Sequence, residues 1–314
     1  MNIDRDRLRE STLAGLRKGW KSFIWVLEIL IPISLLTALL LWSGWISKID
    51  FLFQPLMGWI HLPAMAALPL LIGIIAGFYG GIAAMSALPF SLEEITLMAI
   101  FMMICHSLVQ EGIIQGKSGW HPLKATLFRL GAAIITVLVV SLFFDSSSAP
   151  FPITRNPTIP SPPFGGYLQN WVSSTLYLTG KIFIIIVGVH VLLEIIKAMG
   201  WIDPLIKLLS PVLKFLGLSE KAGTLWIAGA FFGLVYGAAV ILEEMKEGLL
   251  TDEEAEKLHL SIGINHSFIE DPILFMALGV SFFWAWVPRL LAAILSVHLL
   301  NLWQKHLRRL FPIR

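Results

Sequence analysis

Residues 104–112 read ICHSLVQEG, and residues 264–272 read INHSFIEDP. Each stretch places a His-Ser pair and at least one acidic residue in the middle of a long apolar segment. Gly112 and Pro272 end the two stretches, and each favours a break in a helix. Upstream, SLEE at 91–94 and TDEE at 251–254 are typical of a capped helix N-terminus. The sequence therefore predicts two broken helices with polar groups at corresponding places.

The rest of the chain has the composition of a membrane protein. Of its 314 residues, 56% are hydrophobic and only 14% are charged, whereas soluble domains average about 25% charged residues. Apolar runs at 23–46, 125–144 and 182–196 approach the roughly 20 residues that cross the hydrocarbon core of a bilayer. The chain is therefore predicted to be an all-α polytopic membrane protein.

The two halves of the chain repeat one another. GWI at 44–46 recurs at 200–202, an offset of 156, and a four-residue insertion near 242–249 then makes the offset 160. Chance similarity between apolar sequences explains matched Leu and Ala but not matched His, Arg and acidic positions. The matched pairs include Gly73 with Gly229, Gly77 with Gly233, Gly81 with Gly237, Glu93 with Glu253, Glu111 with Asp271, and Arg129 with Arg289.

Each copy is predicted to contain the same five segments. We interpret the broken segment as a re-entrant hairpin, which leaves about three full spans in each copy. The alternative is that it crosses fully, which gives four spans in each copy and parallel repeats. The segments are a long span (about 22–46 and 178–202), an interfacial helix containing Pro (50–62 and 203–218), a Gly-rich span (64–86 and 222–244), the broken segment (92–116 and 251–281) and a last span (122–144 and 283–304).

Charge predicts how the copies face the membrane. Lys and Arg in short loops favour the cytoplasmic side. Both ends of the chain are basic, whereas the Pro-rich linker at 145–170 has a single basic residue, Arg155. Both termini are therefore predicted to be cytoplasmic, in a bacterial-type inner (plasma) membrane. An odd number of crossings per copy then makes the repeats inverted, as in many secondary transporters.

Five parts of the chain follow from these patterns. Residues 1–21 are predicted to form a basic amphipathic helix on the cytoplasmic surface, and 305–314 a basic cytoplasmic tail. The two repeats occupy 22–144 and 171–304, and 145–170 form an extracytoplasmic Pro/Ser-rich linker.

The broken segments hold the candidate site for a substrate or ion. Polar groups at membrane depth are costly unless they face protein or water, and paired interrupted helices are the best sequence indicator of a transport site. For the serines, the alternative to a binding role is that they cap the breaks. For the arginines, the alternative to pairing with an acid or an anion is that they snorkel to the interface. The candidate residues are His106, Ser107, Gln110, Glu111, Arg129, Asn265, His266, Ser267, Glu270, Asp271 and Arg289.

Further polar residues are candidates for proton or ion binding. Glu243 and Glu244 fit a site for a cation or a proton. The alternative is that they cap the helix at the membrane interface, beside a lysine. His190 and Glu194 lie four residues apart, which suits a proton relay or a satisfied buried pair. Candidate metal ligands are Cys105, His106, His266 and Glu270, and candidate lining residues are Tyr79 and Tyr236.

Two motifs carry a resemblance to a known family. FGLVYG at 232–237, which leads to ILEE at 241–244, and NHSFIED at 265–271 are similar to motifs of nucleoside-recognition (Gate) domain membrane proteins. Relatives of that family include the membrane part of ferrous-iron permeases and a segment of concentrative nucleoside transporters. The resemblance covers most of the chain as two copies, and it implies a helical transport fold.

The predicted function is secondary transport of a small polar or ionic solute, with a site near the membrane midplane where the two broken helices meet. A divalent-metal permease and a non-transporting scaffold or regulator are the alternatives. The sequence contains no HExxH, CxxC or GxSxG motif and only one cysteine, so the chain is predicted not to be an enzyme and to need no cofactor. The predicted partners are the lipid bilayer and the solute, with a homodimer left open and no nucleic acid.

Overall fold

The structure is a computed structural model that describes residues 5–144, 163–232, 234–248 and 250–310. Within these ranges the fold is all-α, as predicted, and contains no β-strand. Most of the predicted linker, residues 145–162, lies outside the described residues, as do the two ends of the chain.

The first half begins with the helix α1 (Arg5–Trp42), followed by α2 (Trp45–Trp59), a short 3-10 turn (Ala64–Ala66), α3 (Ala67–Ala76), α4 (Phe78–Ser86), α5 (Leu92–Cys105), α6 (Leu108–Lys117) and α7 (Pro122–Ser141). The second half contains α8 (Phe164–Ala198), α9 (Ile202–Phe215), α10 (Glu220–Phe232), α11 (Leu234–Lys246), α12 (Asp252–Asn265), α13 (Glu270–Ala277) and α14 (Phe282–Leu310).

Among the described residues, five stretches are long and apolar enough to cross a membrane. A sixth is present if the stretches 48–59 and 64–76, which meet at 90°, count as one span. The five stretches are Arg5–Trp42, Leu92–Lys117, Pro122–Ser141, Phe164–Ala198 and Phe282–His306.

Three predicted boundaries differ from the structure. The N-terminal segment does not form a separate surface helix, because α1 is one helix of 38 residues. Such a helix is about 57 Å long, so its basic first turns extend well past a hydrocarbon core of about 30 Å. Residues 164–170 of the predicted linker are the first turns of α8, and α14 continues into the predicted tail as far as Leu310.

The first helices of the two halves, α1 and α8, pack along one another in opposite directions. A Cβ atom added to Gly15 would lie 2.5 Å from the Cα of Val191. Near the other end of the pair, the Tyr167 hydroxyl donates to the Ala38 carbonyl over 2.9 Å. Residue numbers thus rise along one helix as they fall along the other. Glycine permits this close approach because it has no side chain.

The Gly-rich segment of the first half is a hairpin, not the span that we predicted. A Cβ atom on Gly81 would lie 3.1 Å from the Cα of Gly73, whereas eight residues of continuous helix would separate the two by about 12 Å. The chain reverses at Gly77, whose φ of 97° suits glycine far better than other residues. In the second half, the matching residue 233 lies outside the described residues.

The broken segment of the first half is correspondingly a candidate span, not the re-entrant hairpin that we predicted. Residues 92–117 form one of the five stretches able to cross the membrane, although the helix breaks between Cys105 and Leu108. The prediction therefore assigned these two roles to the wrong segments of the first half: the Gly-rich segment folds back, and the broken segment is the candidate span. The physical reason is that the reversal needs small residues in both arms, which the Gly-rich segment has.

The two broken segments form the centre of the bundle. Residues 96–105 of α5 and 258–265 of α12 are buried without interruption, as expected for helices surrounded by protein. The capping boxes predicted at Ser91 and Thr251 are confirmed, with both reciprocal hydrogen bonds present in each. The last spans flank this centre, since α7 and α14 each pack against both α5 and α12. The inverted repeat itself stays a prediction.

We expect Gly15→Ala to destabilise the protein, because the new methyl group would collide with the backbone of α8. Overpacking of this kind costs about 1–3 kcal/mol. The matched control is Gly188→Ala on α8, where an added Cβ meets nothing within 4 Å. Thermal unfolding of the purified protein in detergent should show a lower midpoint for the first variant only. Equal midpoints for both variants would contradict the α1–α8 packing.

Candidate functional site

Both central helices break in the same way at corresponding residues. After α5 the chain passes through His106 in an extended conformation and Ser107 in the left-handed region, with φ of 48°. After α12 it passes through His266, also extended, and Ser267 with φ of 49°. Left-handed residues other than glycine are uncommon and cluster at functional sites. The serines thus lie at the breaks, but Ser107 makes no side-chain capping hydrogen bond to α6 and the residue that precedes α13 is Ile269, so the predicted alternative that the serines cap the breaks is not confirmed.

Two buried arginines satisfy the carbonyl groups that the breaks leave free. Arg129 donates from Nε to the Ile104 carbonyl over 2.8 Å and from Nη2 to the His106 carbonyl over 3.0 Å. Arg289 makes the same two contacts at the second break, over 3.1 and 2.9 Å. Their side chains are 0% and 1% exposed, so the alternative that they snorkel to the interface is wrong.

Backbone N–H groups at the breaks find partners in the Gly-rich segments. Ser107 donates its N–H to the Gly73 carbonyl over 2.9 Å, and Phe268 donates to the Ala230 carbonyl over 2.7 Å. Irregular backbone survives at membrane depth only where such partners exist. Each half therefore holds its own break in place from two sides, with an arginine and with a neighbouring Gly-rich segment.

The two breaks meet at their histidines. The Nε2 atoms of His106 and His266 are 3.2 Å apart. On the other side of each ring, Nδ1 faces a backbone carbonyl, that of Met102 at 2.8 Å and that of Gly263 at 3.2 Å. A carbonyl accepts but cannot donate, so each Nδ1 carries the proton. With both rings neutral, each Nε2 therefore carries a lone pair, and the two Nε2 atoms lie close enough to share a proton or a cation.

Two carboxylates complete the cluster. Glu111 is ion-paired with Arg129, and its oxygens lie 3.3 Å from Nε2 of His106 and 3.2 Å from Nε2 of His266. Asp271 is 4% exposed, and its Oδ2 has no hydrogen-bond partner within the described part of the chain. It shares a region with the two histidines in which the three potential ligand atoms all lie within 4.8 Å of one another.

The charges in the cluster match the helix ends beside which they lie. Glu111 and Asp271 lie in the first turns of α6 and α13, where a helix dipole favours negative charge. The guanidinium groups of Arg129 and Arg289, which belong to α7 and α14, contact the C-terminal ends of α5 and α12, where the dipole favours positive charge. Burying four ionisable groups still costs several kcal/mol per ion, so the arrangement indicates function more than stability.

Several predicted site residues lie beside the cluster and do not join it. The Glu270 carboxylate accepts a hydrogen bond from the Tyr79 hydroxyl on α4, and Gln110 is exposed on α6. Asn265 is buried, and its amide Nδ2 lies 3.5 Å from the Arg289 carbonyl oxygen. Cys105 is buried next to the first break but is not among the grouped ligand atoms. Of the predicted metal ligands, His106 and His266 are grouped with Asp271, whereas Glu270 and Cys105 are outside that group; the metal site itself stays a prediction.

The predicted proton relay on α8 is not part of the cluster. His190 lies 3.0 Å from the Ser22 hydroxyl, and Glu194 pairs with Lys18 over 2.8 Å. Each of the two residues thus has its own partner on α1, and together these contacts fasten α1 to α8.

Other candidates lie further along the second half. Glu243 is exposed and Glu244 half-buried near the end of α11, which fits the interfacial alternative. The side chain of Tyr236 lies outside the described residues. One buried polar contact was not predicted: His259 places Nε2 2.9 Å from the Ser118 carbonyl. A histidine within the mostly apolar run 258–264, which also contains Ser261, was the available signal.

A cavity of about 470 Å³ lies one short helix away from the cluster. It is lined by parts of α1, α4, α8 and α13, and its polar lining residues include Ser86, Ser174 and Lys181. Both α4 and α13 begin near the cluster and end at the cavity, because Tyr79 meets Glu270 at one end and Ala277 lines the cavity at the other. The eight-residue helix α13 corresponds to a separation of roughly 10 Å.

Comparison with known proteins supports the membrane assignment. A protein of Bacillus subtilis (strain 168), described as the uncharacterized membrane protein YvoD, is 23% identical to this chain over 302 residues. The match covers 95% of this chain and 96% of that protein. No protein-family model matches the chain, and no solved structure matches it. The resemblance to the nucleoside-recognition family therefore stays a prediction.

We expect Arg289→Lys to destabilise the protein although it preserves charge. A lysine ammonium cannot reproduce the planar fork that binds two carbonyls, and an unsatisfied buried acceptor costs about 1–3 kcal/mol. The control is Arg17→Lys on the exposed face of α1. The unfolding midpoint should fall for the first variant and stay constant for the second. An unchanged midpoint for Arg289→Lys would show that the guanidinium does not support the break.

Proposed function

We propose that this membrane protein is a secondary transporter of a small polar or ionic solute and that the buried cluster is its binding centre. The observation that carries this proposal is the meeting of two broken helices, one from each half, with their histidine Nε2 atoms 3.2 Å apart. Interrupted helices that bring polar groups to membrane depth are the usual construction of transporter sites. Paired ionisable groups inside a membrane protein indicate function by default.

The arrangement of the two halves supports an alternating-access mechanism. Corresponding helices α1 and α8 run antiparallel, and the end of α7 meets the start of α14, since the ring of Phe144, just after α7, packs 5.1 Å from that of Trp284. Inverted repeats require this geometry. In such proteins, one repeat rocks against the other around a fixed central site.

The cavity beside α13 supplies an access route on one side of the site. With both termini cytoplasmic, as the charge distribution predicts, this side faces outward. Between cavity and cluster, the ring of Phe78 packs 5.2 Å from that of Phe275 and 5.1 Å from that of His106. The hydrogen bond between Tyr79 and Glu270 joins the same two helices. Separation of α4 from α13 would open the cluster to the cavity, so the cluster is closed on this side in the present conformation.

We expect Glu111→Gln to abolish transport, because it removes the charge that pairs with Arg129 and contacts both histidines. The measurement is uptake into proteoliposomes that contain the purified protein, with labelled divalent metals, nucleosides and organic anions as separate solutes. The matched control is Glu243→Gln, an acid near the end of α11 that should leave uptake unchanged. If the folded wild-type protein moves none of these solutes, or if Glu111→Gln transports as well as wild type, the proposal is wrong.

We also expect the cavity to admit water and small reagents. Ser174→Cys, in the cavity lining, should react with a membrane-impermeant maleimide added to the linker side. Ile184→Cys, whose native side chain is 71% exposed on a spanning helix, should not react in a bilayer, because hydrocarbon suppresses the thiolate. The single native cysteine is buried, so background labelling should be low. No reaction at position 174 would remove the proposed route.

A further inference from the structure

We infer that the central cluster binds a divalent transition-metal ion through Nε2 of His106, Nε2 of His266 and the Asp271 carboxylate, with Glu111 beside them. We further infer that such an ion is the solute carried. That second step rests on the proposed transport function, whereas metal binding can be tested without it.

The imidazole rings are already oriented as metal ligands. Metal-binding histidines almost always donate the N–H of the other ring nitrogen to a carbonyl or carboxylate, which fixes the free lone pair on the metal side. Here Nδ1 of His106 faces the Met102 carbonyl at 2.8 Å, and Nδ1 of His266 faces the Gly263 carbonyl at 3.2 Å. Both free lone pairs are thereby aimed at one point between the rings.

The spacing of the two nitrogens fits a shared ion. Two imidazole nitrogens bound at about 2.0–2.1 Å to one tetrahedral ion lie roughly 3.3 Å apart. The observed separation of the Nε2 atoms is 3.2 Å. Two lone pairs this close repel each other unless a cation, either a proton or a metal ion, lies between them.

Carboxylate oxygens supply the remaining ligands. Asp271 Oδ2 is a buried acceptor without a hydrogen-bond partner in the described part of the chain, and a buried group of this kind requires a partner. Its position, within 4.8 Å of both histidine ligand atoms, is suited to a third bond to the same ion. The Glu111 oxygens at 3.2 and 3.3 Å from the two Nε2 atoms offer a fourth ligand.

The donor set selects the class of metal. Two imidazole nitrogens with carboxylate oxygens suit ions such as Zn²⁺, Fe²⁺ and Mn²⁺. Mg²⁺ and Ca²⁺ prefer six or more oxygens, which this cluster lacks. The soft thiol ligand that favours Cu⁺ is absent from the group, because the Cys105 sulfur is not among the grouped atoms.

The two buried arginines favour release of the bound ion. Arg129 and Arg289 donate Nε and Nη2 to backbone carbonyls, and Nη1 of Arg129 pairs with Glu111, which leaves the imidazoles and Asp271 to a metal. Their two positive charges nevertheless repel a divalent cation and lower its affinity. Conduction requires binding strong enough for entry and weak enough for exit. The ion also competes with a proton for the Nε2 lone pairs, so binding should release a proton.

The test uses the full-length protein in detergent after removal of metal with a chelator. Titration with Co²⁺ should produce the visible absorption bands of a tetrahedral site with about one ion per chain, Zn²⁺ should abolish those bands, and Mg²⁺ should not. In weakly buffered solution, a pH indicator should report proton release during the titration. His106→Ala and His266→Ala should lose the bands, whereas the control His190→Ala, on α8, should retain them.

Asp271→Asn nearly preserves the shape of the side chain and should weaken Co²⁺ binding. This variant keeps the test valid if a histidine variant aggregates during size-exclusion chromatography. Equal Co²⁺ binding by wild type and by the His106→Ala, His266→Ala double variant would overturn the inference, as would a folded wild type that binds no Co²⁺. Metal binding without uptake into proteoliposomes would support the site and contradict the transport proposal. Uptake of a nucleoside or organic anion without metal binding would support the transport proposal and contradict the metal site.

Discussion

Backbone groups released by a helix break inside a membrane have no water to bind, so they must find partners within the protein. The rest of this structure depends on how that requirement is met. Arg129 and Arg289 reach from the last span of each half to the carbonyls at the breaks, and Gly73 and Ala230 accept the N–H groups that remain. These bonds fix the position of α7, α14 and the Gly-rich segments around α5 and α12.

The chemistry of the centre follows from this support. Because each break is held from two sides, the histidine at each one has a defined orientation, and the two rings meet with their Nε2 atoms 3.2 Å apart. Glu111 and Asp271 then lie at helix N-termini, where negative charge is favoured. A cluster this expensive to bury is understandable if it exchanges a metal ion for a proton, since an ion between the rings relieves their mutual repulsion.

The two halves are alike in their breaks and different around them. Glu270 of the second half bonds Tyr79 across the bundle, whereas the corresponding Gln110 of the first half is exposed on α6. His259 is a buried polar residue of α12, and its counterpart in the first half is the apolar Ala99. Shared features therefore build the central site, and unshared ones distinguish its two sides.

The sequence by itself determined the all-α membrane class and the capped starts of α5 and α12, because hydropathy and caps act locally. It predicted the breaks at Gly112 and Pro272, which is wrong, since these residues lie inside α6 and α13 and the helices break after Cys105 and Asn265. Only the tertiary structure decided which segment folds back, since a Gly-rich hairpin and a Gly-rich span have the same hydropathy. It also decided that Asp271 faces the histidines while Glu270 faces Tyr79, because successive residues on a helix point about 100° apart. The meeting of His106 with His266 depends on the packing of two distant segments, which no local pattern specifies.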